Sequence, residues 1–250
     1  MLGSIRPWEK LPEDMQTDAV RPYYDVLKKK RVSLFFKRLF DIVAALVLLT
    51  ILSPVMAVLA IAIACDSKGG VFFRQERVTQ YERRFRIFKF RTMVANAEAL
   101  GSQVTVSHDV RITKVGRVIR RCRLDEIPQL LNILAGDMSF VGTRPETVRF
   151  VNCYSPEMMA TLLMPAGVTS EASIRYKDED RLLKAAEDAD DVYVNRVLPE
   201  KMRYNLDSIK NFRFFGEIGI MIRTVAAVLK KESKTPIDTL DTSIKAGKKK

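Results

Sequence analysis

The sequence predicts a mixed α/β domain that is held at a membrane by an N-terminal apolar helix. The first supporting observation is an uncharged run of 24 residues from Ile42 to Cys65. The second is a pair of short segments after this run in which aromatic and β-branched residues stand between charges, as they do in strands. The third is the helical spacing of leucine and isoleucine in later segments. With 250 residues, of which 47% are hydrophobic, the chain is long enough to bury a sizeable core.

The chain divides into four parts. Residues 1–30 are polar and contain three prolines, so we expect an extension that is only loosely structured. Residues 31–68 form the predicted membrane anchor, and residues 69–230 form the folded domain. Residues 231–250 form a flexible basic tail.

The apolar run is long enough to cross a bilayer. At about 1.5 Å per residue a helix of this length measures about 36 Å, against about 30 Å for the hydrocarbon core. The run is too long, and begins too far along the chain, for a cleaved signal peptide. Its length also argues against a buried helix of a soluble protein.

Both flanks of the run are basic, with six lysines or arginines between residues 28 and 38 and six between residues 68 and 86. Because cytoplasmic flanks carry the excess of positive charge, both ends are predicted to lie on the cytoplasmic side. Near the middle, Pro54 removes a backbone donor, and Ser53 can bond a carbonyl that the proline frees. We therefore predict a re-entrant helix that is broken at Ser53-Pro54 and returns to the same face. A straight span with a mild kink is the alternative.

Composition restricts the chemistry of the chain. The net charge of +12 calls for an anionic partner, which nucleic acid, anionic lipid or a phosphorylated small molecule could supply. The three cysteines have no metal-type spacing and suit a reducing compartment. The single histidine, His108, excludes a zinc site of several histidines and disfavours a Ser-His-Asp triad. Any reaction should therefore depend on carboxylates and basic groups.

Local patterns place the elements of the domain. Residues 69–78 and 83–93 are predicted strands, and residues 93–100 are a predicted helix. Residues 211–231 combine an aromatic-basic patch with one apolar helical face, formed by Ile218, Ile222, Val225 and Leu229. We predict an amphipathic helix at the membrane interface there, with plain core packing as the alternative.

Two adjacent acids, Asp125 and Glu126, precede an apolar helical pattern in the stretch RRCRLDEIPQLLN. Pro128 is compatible with this helix if the helix begins at Asp125, because the first turn has no partner for the missing N–H. The acids would then lie at a helix N-terminus, where the dipole stabilises carboxylates and bound anions.

Three short stretches mix basic residues, turn formers and small polar groups, as an anion site requires. They are FKFRTM at 88–93, RRCRLDEIPQLLNILAGDMS at 120–139 and FVGTRPE at 140–146. Together with Ser53-Pro54, and in this order, they closely resemble the bacterial sugar transferases, the monotopic phosphoglycosyl transferases that initiate the assembly of surface glycans. The resemblance covers roughly residues 35–230.

The resemblance implies an enzyme on the cytoplasmic face of the bacterial inner membrane. It would transfer a sugar 1-phosphate from a nucleoside diphosphate sugar, usually a UDP-sugar, to undecaprenyl phosphate, releasing the nucleoside monophosphate with the help of Mg²⁺. Asp125 would be the nucleophile that forms a covalent phosphosugar intermediate. Glu126 would bind Mg²⁺ and handle protons, with Asp125 as a second candidate for the metal. This would be the first membrane step of exopolysaccharide, lipopolysaccharide or capsule synthesis.

The chemistry of the residues agrees with these roles. Nearby arginines and a helix N-terminus would stabilise the ionised form of Asp125, which suits a nucleophile. Neighbouring side chains on a helix diverge by about 100°, so one acid can meet phosphorus while the other holds the metal. An exposed acid pair at a helix start is the alternative.

The candidate substrate contacts are basic residues and one proline near these motifs, namely Lys89, Arg91, Arg111, Arg117, Arg120, Arg144 and Pro145. Arg144 is expected at the nucleotide or its phosphate, and a solvated surface is the alternative for the other cations. Asp137 is expected to shape a turn with Gly136. The expected partners are the nucleotide sugar, undecaprenyl phosphate and membrane lipid, but no nucleic acid; a homodimer is left open.

The chain departs from the family pattern at three places. Thr143 stands where the first proline of Pro-Arg-Pro is usual, and TQYERR at 79–84 replaces a glycine-rich turn. Ser170 replaces the last glycine of a Pro-Gly-Ile-Thr-Gly stretch, which here also has an extra alanine. These departures bear on recognition of the sugar and nucleotide. Because of these departures, a catalytically silent scaffold of the same fold is an alternative function. Because of the net charge, a membrane protein that binds nucleic acid is another.

Overall fold

The computed structural model describes residues 5–95, 97, 109–177 and 188–229. Helices and strands alternate along these residues, which confirms the predicted mixed α/β class. They are α1 (Arg21–Lys29), α2 (Arg31–Asp66), β1 (Phe72–Val78), β2 (Arg84–Phe90), α3 (Lys114–Arg121), α4 (Gln129–Ala135), β3 (Met138–Val141), α5 (Val148–Val151), β4 (Ala166–Thr169), α6 (Glu171–Arg175), α7 (Ala189–Val192), α8 (Leu198–Lys210) and α9 (Phe214–Leu229). His108, residues 96 and 98–100 of the helix predicted over 93–100, and the tail 231–250 lie outside the described residues.

The apolar run lies in α2, a single helix of 36 residues with Pro54 in its interior. The predicted division into two helices at Ser53-Pro54 is therefore wrong. Proline removes one intrahelical hydrogen bond, and the carbonyl that it frees, that of Thr50, accepts a hydrogen bond from Ser53 Oγ at 2.9 Å. Within the described part of the chain, α2 is the helix that is long and apolar enough to cross a membrane.

Both ends of α2 contact the folded domain. Near its start, Lys37 Nζ donates to the Val141 carbonyl at 2.9 Å, and Asp41 Oδ1 accepts from the Phe140 N–H at 3.2 Å. At its last residue, Asp66 Oδ2 accepts from the Val115 N–H at 2.9 Å. Away from the domain, α2 exposes large apolar side chains, namely Val43, Leu46, Val47, Ile51, Val55, Val58 and Ile61. The domain thus contacts one face of α2 along most of its length, from Phe40 to Ile63, while the opposite apolar face is left uncovered.

The strands β1 and β2 form an antiparallel hairpin, in agreement with the two predicted strands. Asn132 of α4 joins this hairpin through its side chain. Its Oδ1 accepts from the Phe88 N–H at 2.8 Å, and its Nδ2 donates to the Arg86 carbonyl at 3.1 Å. The hairpin is therefore fixed to the helix that follows the acid pair.

The strands β3 and β4 run parallel and are almost completely buried. Beyond β3 their pairing continues, since the Gly142 N–H donates to the Thr169 carbonyl at 3.0 Å and the Gly167 N–H donates to the Thr143 carbonyl at 2.8 Å. A Cβ atom on either glycine would collide with backbone of the facing segment. Glycine at these two positions thus allows the loop after β3 to lie directly against β4.

Residues 5–29 are not loosely structured, so that expectation is wrong. Leu11, Met15 and Leu27 are buried in one core cluster with Leu206 and Ile209 of α8. Their apolar side chains are distributed over two short 3-10 turns and α1. Because no single period runs through the segment, the sequence pattern does not reveal that it packs against the domain.

The predicted C-terminal helix is confirmed as α9, but its predicted apolar face does not enter the core. Ile222 and Val225 are 65% and 62% exposed, and Phe215 is 82% exposed. The helix contacts the domain through another face, where Thr224 Oγ1 lies 2.8 Å from Thr169 Oγ1. Core packing is therefore excluded for Ile222 and Val225.

We predict that Leu27→Ala lowers the free energy of unfolding of the full chain by about 2–5 kcal/mol, because Leu27 is fully buried and its removal leaves a cavity. Trp8, the single tryptophan, contacts Tyr24 of α1 with ring centroids 5.1 Å apart. Its fluorescence can therefore follow denaturant unfolding of this segment in detergent micelles. Lys29→Ala, at an exposed position of the same helix, is the control. Equal effects of the two substitutions would contradict the packed segment.

Candidate active site

The acid pair lies in a 3-10 turn, Leu124–Glu126, and not at the start of a helix. The helix α4 begins at Gln129, four residues later than predicted, and it has only seven residues. The dipole of α4 is therefore not the main influence on these carboxylates. Arg123, with a left-handed φ of 56°, turns the chain from α3 into the acid pair.

Glu126 is the more strongly held of the two acids. Its Oε1 lies 3.0 Å from Lys89 Nζ and 2.7 Å from Arg144 Nη2, and its side chain is 14% exposed. Burial by itself would raise the pKa of Glu126, but Arg144 and Lys89 together outweigh burial and hold this pKa far below its usual range. The ionised form of the half-buried Glu126 carboxylate is therefore strongly favoured.

Asp125 is in a different electrostatic state. Burial and the neighbouring Glu126 carboxylate raise the pKa of Asp125, and the opposing charges of Lys89 and Arg120 only reduce this effect. The expectation that the arginines stabilise ionised Asp125 is thus wrong in its net effect, because Lys89 and Arg144 form their ion pairs with Glu126. A carboxylate with a raised pKa is a stronger base and a better nucleophile once it is ionised.

One face of the hairpin supplies cations to this site. The register pairs Phe73 with Lys89 and Arg77 with Phe85, so Lys89 and Arg77 project from the same face. Arg77 is a site residue that the sequence analysis missed. Its Nη1 donates to the Pro145 carbonyl at 3.1 Å, which holds the chain next to Arg144. In β1, residues 73, 75 and 77 alternate with the exposed charges Arg74 and Glu76. This period of two could have indicated that Arg77 faces the domain.

A buried polar network fixes the segment after Arg144, and the sequence analysis missed it as well. Glu146 Oε1 accepts a hydrogen bond of 2.5 Å from Tyr193 Oη, and Lys201 Nζ donates to the same Tyr193 oxygen at 3.2 Å. Glu146, Tyr193 and Lys201 are each less than a tenth exposed. The position of Arg144 therefore depends on α8 and on the π-helical turn Tyr193–Val197 that precedes α8.

Arg120 and Arg117, two of the predicted substrate contacts, lie on α3 and form no ion pair with the acid pair among the described residues. Arg120 lowers the pKa of Asp125, and its buried Nη1 has no hydrogen-bond partner among the described residues. A buried guanidinium nitrogen of this kind is suited to an anionic ligand. Arg117 lies one turn earlier on α3 and is exposed.

The side chains of Arg91 and Arg111 are held elsewhere. Arg91 is 8% exposed, and its Nη2 donates to the Ser67 carbonyl at 2.7 Å, which attaches β2 to the end of α2. Arg111 pairs with Asp109 at 2.6 Å and donates to the Ala97 carbonyl at 2.8 Å. These contacts connect parts of the fold and are independent of the acid pair.

Asp137 and Pro145 have contacts that stabilise turns. The carboxylate of Asp137 lies 2.6 Å from Arg83 Nη1, and its carbonyl accepts from Thr79 Oγ1 at 2.6 Å. The preceding Gly136 has a φ of 85°, as expected for the turn predicted at this position. Pro145 contributes its carbonyl to Arg77, as described above.

The residues that could hold a metal are the two acids themselves. No group of three or more His, Cys, Asp or Glu side chains with metal-binding geometry is found in the described ranges. Two carboxylates, one of them with a lowered pKa, are nevertheless a suitable donor set for Mg²⁺, which takes one or two protein carboxylates and completes its shell with water and substrate phosphates.

Three curated relatives are similar to this chain. The first is the UDP-N-acetylgalactosamine-undecaprenyl-phosphate N-acetylgalactosaminephosphotransferase of Aeromonas hydrophila, 37% identical over 78% of this chain and 44% of the relative. The others are UDP-glucose:undecaprenyl-phosphate glucose-1-phosphate transferases. That of Caulobacter vibrioides is 33% identical over 77% of this chain and 69% of its own length, and that of Escherichia coli is 33% identical over 85% and 44%. The chain thus spans less than half the length of two of these relatives.

A family model described as bacterial sugar transferase matches residues 32–231, which include α2, the hairpin, the acid pair and α9. The matched region is most of the chain and contains every residue of the site described above. The chain therefore belongs to the bacterial sugar transferase family.

Proposed function

We propose that this enzyme transfers a sugar 1-phosphate from a UDP-sugar to undecaprenyl phosphate through a covalent intermediate on Asp125. The observation that carries the proposal is the acid pair, in which Lys89 and Arg144 bind Glu126 and leave Asp125 without an ion pair of its own among the described residues. Three relatives have names that contain a UDP-sugar and undecaprenyl phosphate, and these names support the choice of donor and acceptor.

In the first step, an Asp125 carboxylate oxygen attacks the phosphorus that carries the sugar. The bond from this phosphorus to the bridging oxygen breaks, and the nucleoside monophosphate leaves with that electron pair. In the second step, a phosphate oxygen of undecaprenyl phosphate attacks the same phosphorus and releases Asp125. The products are undecaprenyl diphosphate sugar and the unchanged enzyme.

The surrounding cations would stabilise the charge of the transferring group. The donor diphosphate is anionic, and Lys89, Arg144 and Arg120 surround the acid pair. The buried Nη1 of Arg120, which has no partner in the described part of the chain, is the best candidate for a direct phosphate contact. Asp125 and Glu126 would hold Mg²⁺, which when bound neutralises charge on the diphosphate.

We further propose that α2 is a re-entrant membrane helix and that the domain lies on the cytoplasmic face. A straight span would carry Lys37 and Asp66 to opposite sides of the bilayer, because 29 residues of helix measure about 43 Å. Both residues instead bind the same charged domain. A gradual bend at Pro54 is compatible with these contacts.

The exposed apolar side chains of α9 would enter the same interface as α2. Phe214 of α9 contacts Phe40 of α2 with ring centroids 6.0 Å apart, so the two helices adjoin. Phe215, Ile222 and Val225 add exposed apolar surface beside them. The anionic donor, acceptor and lipid then account for the net charge of +12, so binding to nucleic acid is not required to explain it.

Replacing the proposed nucleophile is the most direct test. We expect Asp125→Asn to reduce the release of nucleoside monophosphate by at least about 10³-fold, because the amide cannot form the intermediate. The variant should remain in the membrane fraction. Wild-type enzyme incubated with donor alone should yield a peptide containing Asp125 that is heavier by one phosphosugar in mass spectrometry. Asp25→Asn, at an exposed i, i+4 ion pair of α1, is the control. Substantial turnover by Asp125→Asn would refute the assignment.

The pH dependence should reflect the environment of Asp125. Because the pKa of Asp125 is raised and the attacking form is ionised, kcat/KM should fall on the acid side at a higher pH than a free aspartate would give. Lys89 lowers this pKa, so Lys89→Met should move the acid limb to still higher pH. The measurement is the pH at which kcat/KM falls to half its maximum on the acid side, and not the maximum value of kcat/KM. Lys10→Met, at an exposed position, should leave the limb in place. A shift to lower pH would contradict the assignment.

The membrane topology can be tested by cysteine labelling. Cys122 and Cys153 are exposed on the domain, and Glu9→Cys adds a site at the N-terminal segment. In intact cells a membrane-impermeant maleimide should label none of them, and all should react after permeabilisation. Labelling of Glu9→Cys from outside would show that α2 spans the bilayer.

A further inference from the structure

A cavity of about 320 Å³ is lined by Thr143, the residue before Arg144, and by none of the residues of the acid pair. It is enclosed by the segments that follow β3 and β4 and by one face each of α8 and α9. Ligands of sheets with parallel strands often bind at the carboxyl ends of the strands, and this cavity is at such an edge. Its wall includes Thr143, the neighbour of Arg144, which binds Glu126.

The helix α9, which forms one wall of the cavity, is fixed by contacts with α2, β4 and α6. Glu217 of α9 pairs with Lys37 of α2 at 2.6 Å, and Thr224 of α9 contacts Thr169 of β4. Glu171 of α6 pairs with Arg223 of α9 at 2.9 Å. These contacts hold α9 in place across the cavity, so the cavity is formed before any ligand binds.

Buried side chains that can form hydrogen bonds face apolar ones in this cavity. Thr161, Ser170 and Asn205 line it and are only 2%, 4% and 5% exposed. Asn205 is the least satisfied, since among the described residues its Nδ2 contacts only the thioether sulfur of Met202, at 3.7 Å. A thioether is a weak acceptor, so the buried amide is suited to a polar ligand group.

The charges of the cavity do not favour a phosphate. Of its lining carboxylates, Glu171 and Glu217 are paired with cations, and Asp207 and Arg213 add one charge of each sign. No surplus of positive charge is left for a diphosphate or a lipid phosphate. The volume is at the lower end of the roughly 300–1,000 Å³ of small-molecule sites, which suits one ring and not a whole nucleotide sugar.

We propose that this cavity binds the sugar ring of the donor and that Thr143, Ser170 and Asn205 determine which sugar is accepted. The inference rests on the proposed function, in which the diphosphate binds at Arg144 and Arg120. Thr143 is adjacent to Arg144, about 3.8 Å away between Cα atoms, so a sugar attached to that diphosphate can enter the cavity.

The test compares donors with one nucleotide and different sugars. For wild-type enzyme and for Thr143→Pro, Ser170→Gly and Asn205→Ala, kcat/KM is measured from the release of nucleoside monophosphate with UDP-glucose, UDP-galactose and their N-acetylated counterparts. A second series keeps the preferred sugar and changes the nucleobase. Asn152→Ala, an exposed asparagine outside the cavity, is the matched control.

We expect at least one cavity variant to change the ratio of kcat/KM between two sugars by about 10-fold, since the loss of one hydrogen bond to a sugar hydroxyl has up to about this effect. The ratio between nucleobases should stay within about twofold. Ratios cancel a uniform loss of active enzyme, so a poorly folded variant cannot imitate the result.

Sugar ratios that stay unchanged in all three variants would overturn the proposal, and so would a change confined to the nucleobase series. A change confined to KM for undecaprenyl phosphate would do the same, because it would assign the cavity to the acceptor. Failure of the proposed function is a separate result, in which wild-type enzyme releases no nucleoside monophosphate from any donor.

Discussion

The ion pairs of Glu126 with Lys89 and Arg144 connect three segments that are far apart in the sequence. Lys89 is on the β1–β2 hairpin, Glu126 is in the turn before α4, and Arg144 follows β3. A buried charge that loses one partner typically costs about 3–5 kcal/mol. The hairpin, the acid turn and the β3 loop are therefore constrained to meet at one point, and Asp125 is positioned by that constraint.

This constraint also explains why adjacent acids differ in their chemistry. The cations bind Glu126, which stays ionised, while burial and the charge of Glu126 raise the pKa of Asp125. A carboxylate with a raised pKa is held less firmly in its ionised form, which agrees with the role proposed for Asp125. The same ion pairs thus hold the site together and distinguish the two acids.

The membrane helix is part of the fold and not merely an attachment. Lys37 and Asp41 are only 4% and 3% exposed. They form hydrogen bonds with the backbone of Val141 and Phe140, the last two residues of β3. Asp66 bonds the first turn of α3, the helix that carries Arg120. A displacement of α2 would therefore be transmitted to both sides of the acid pair. The contact of Lys37 with Glu217 extends this connection to α9 and to the wall of the cavity.

The sequence by itself determined the mixed α/β class, the strands of the hairpin, the apolar helix, the acid pair and the basic motifs that contain Lys89 and Arg144. These features depend on local periodicity, on uncharged length and on short motifs, all of which are contiguous in the chain. Only the tertiary structure decided which acid the cations bind, that Arg77 and the network of Glu146, Tyr193 and Lys201 support Arg144, and that residues 5–29 are part of the core. It also showed α2 as one helix through Pro54. Burial and ion pairing between segments 18 or more residues apart depend on how the chain packs, and no local pattern encodes them.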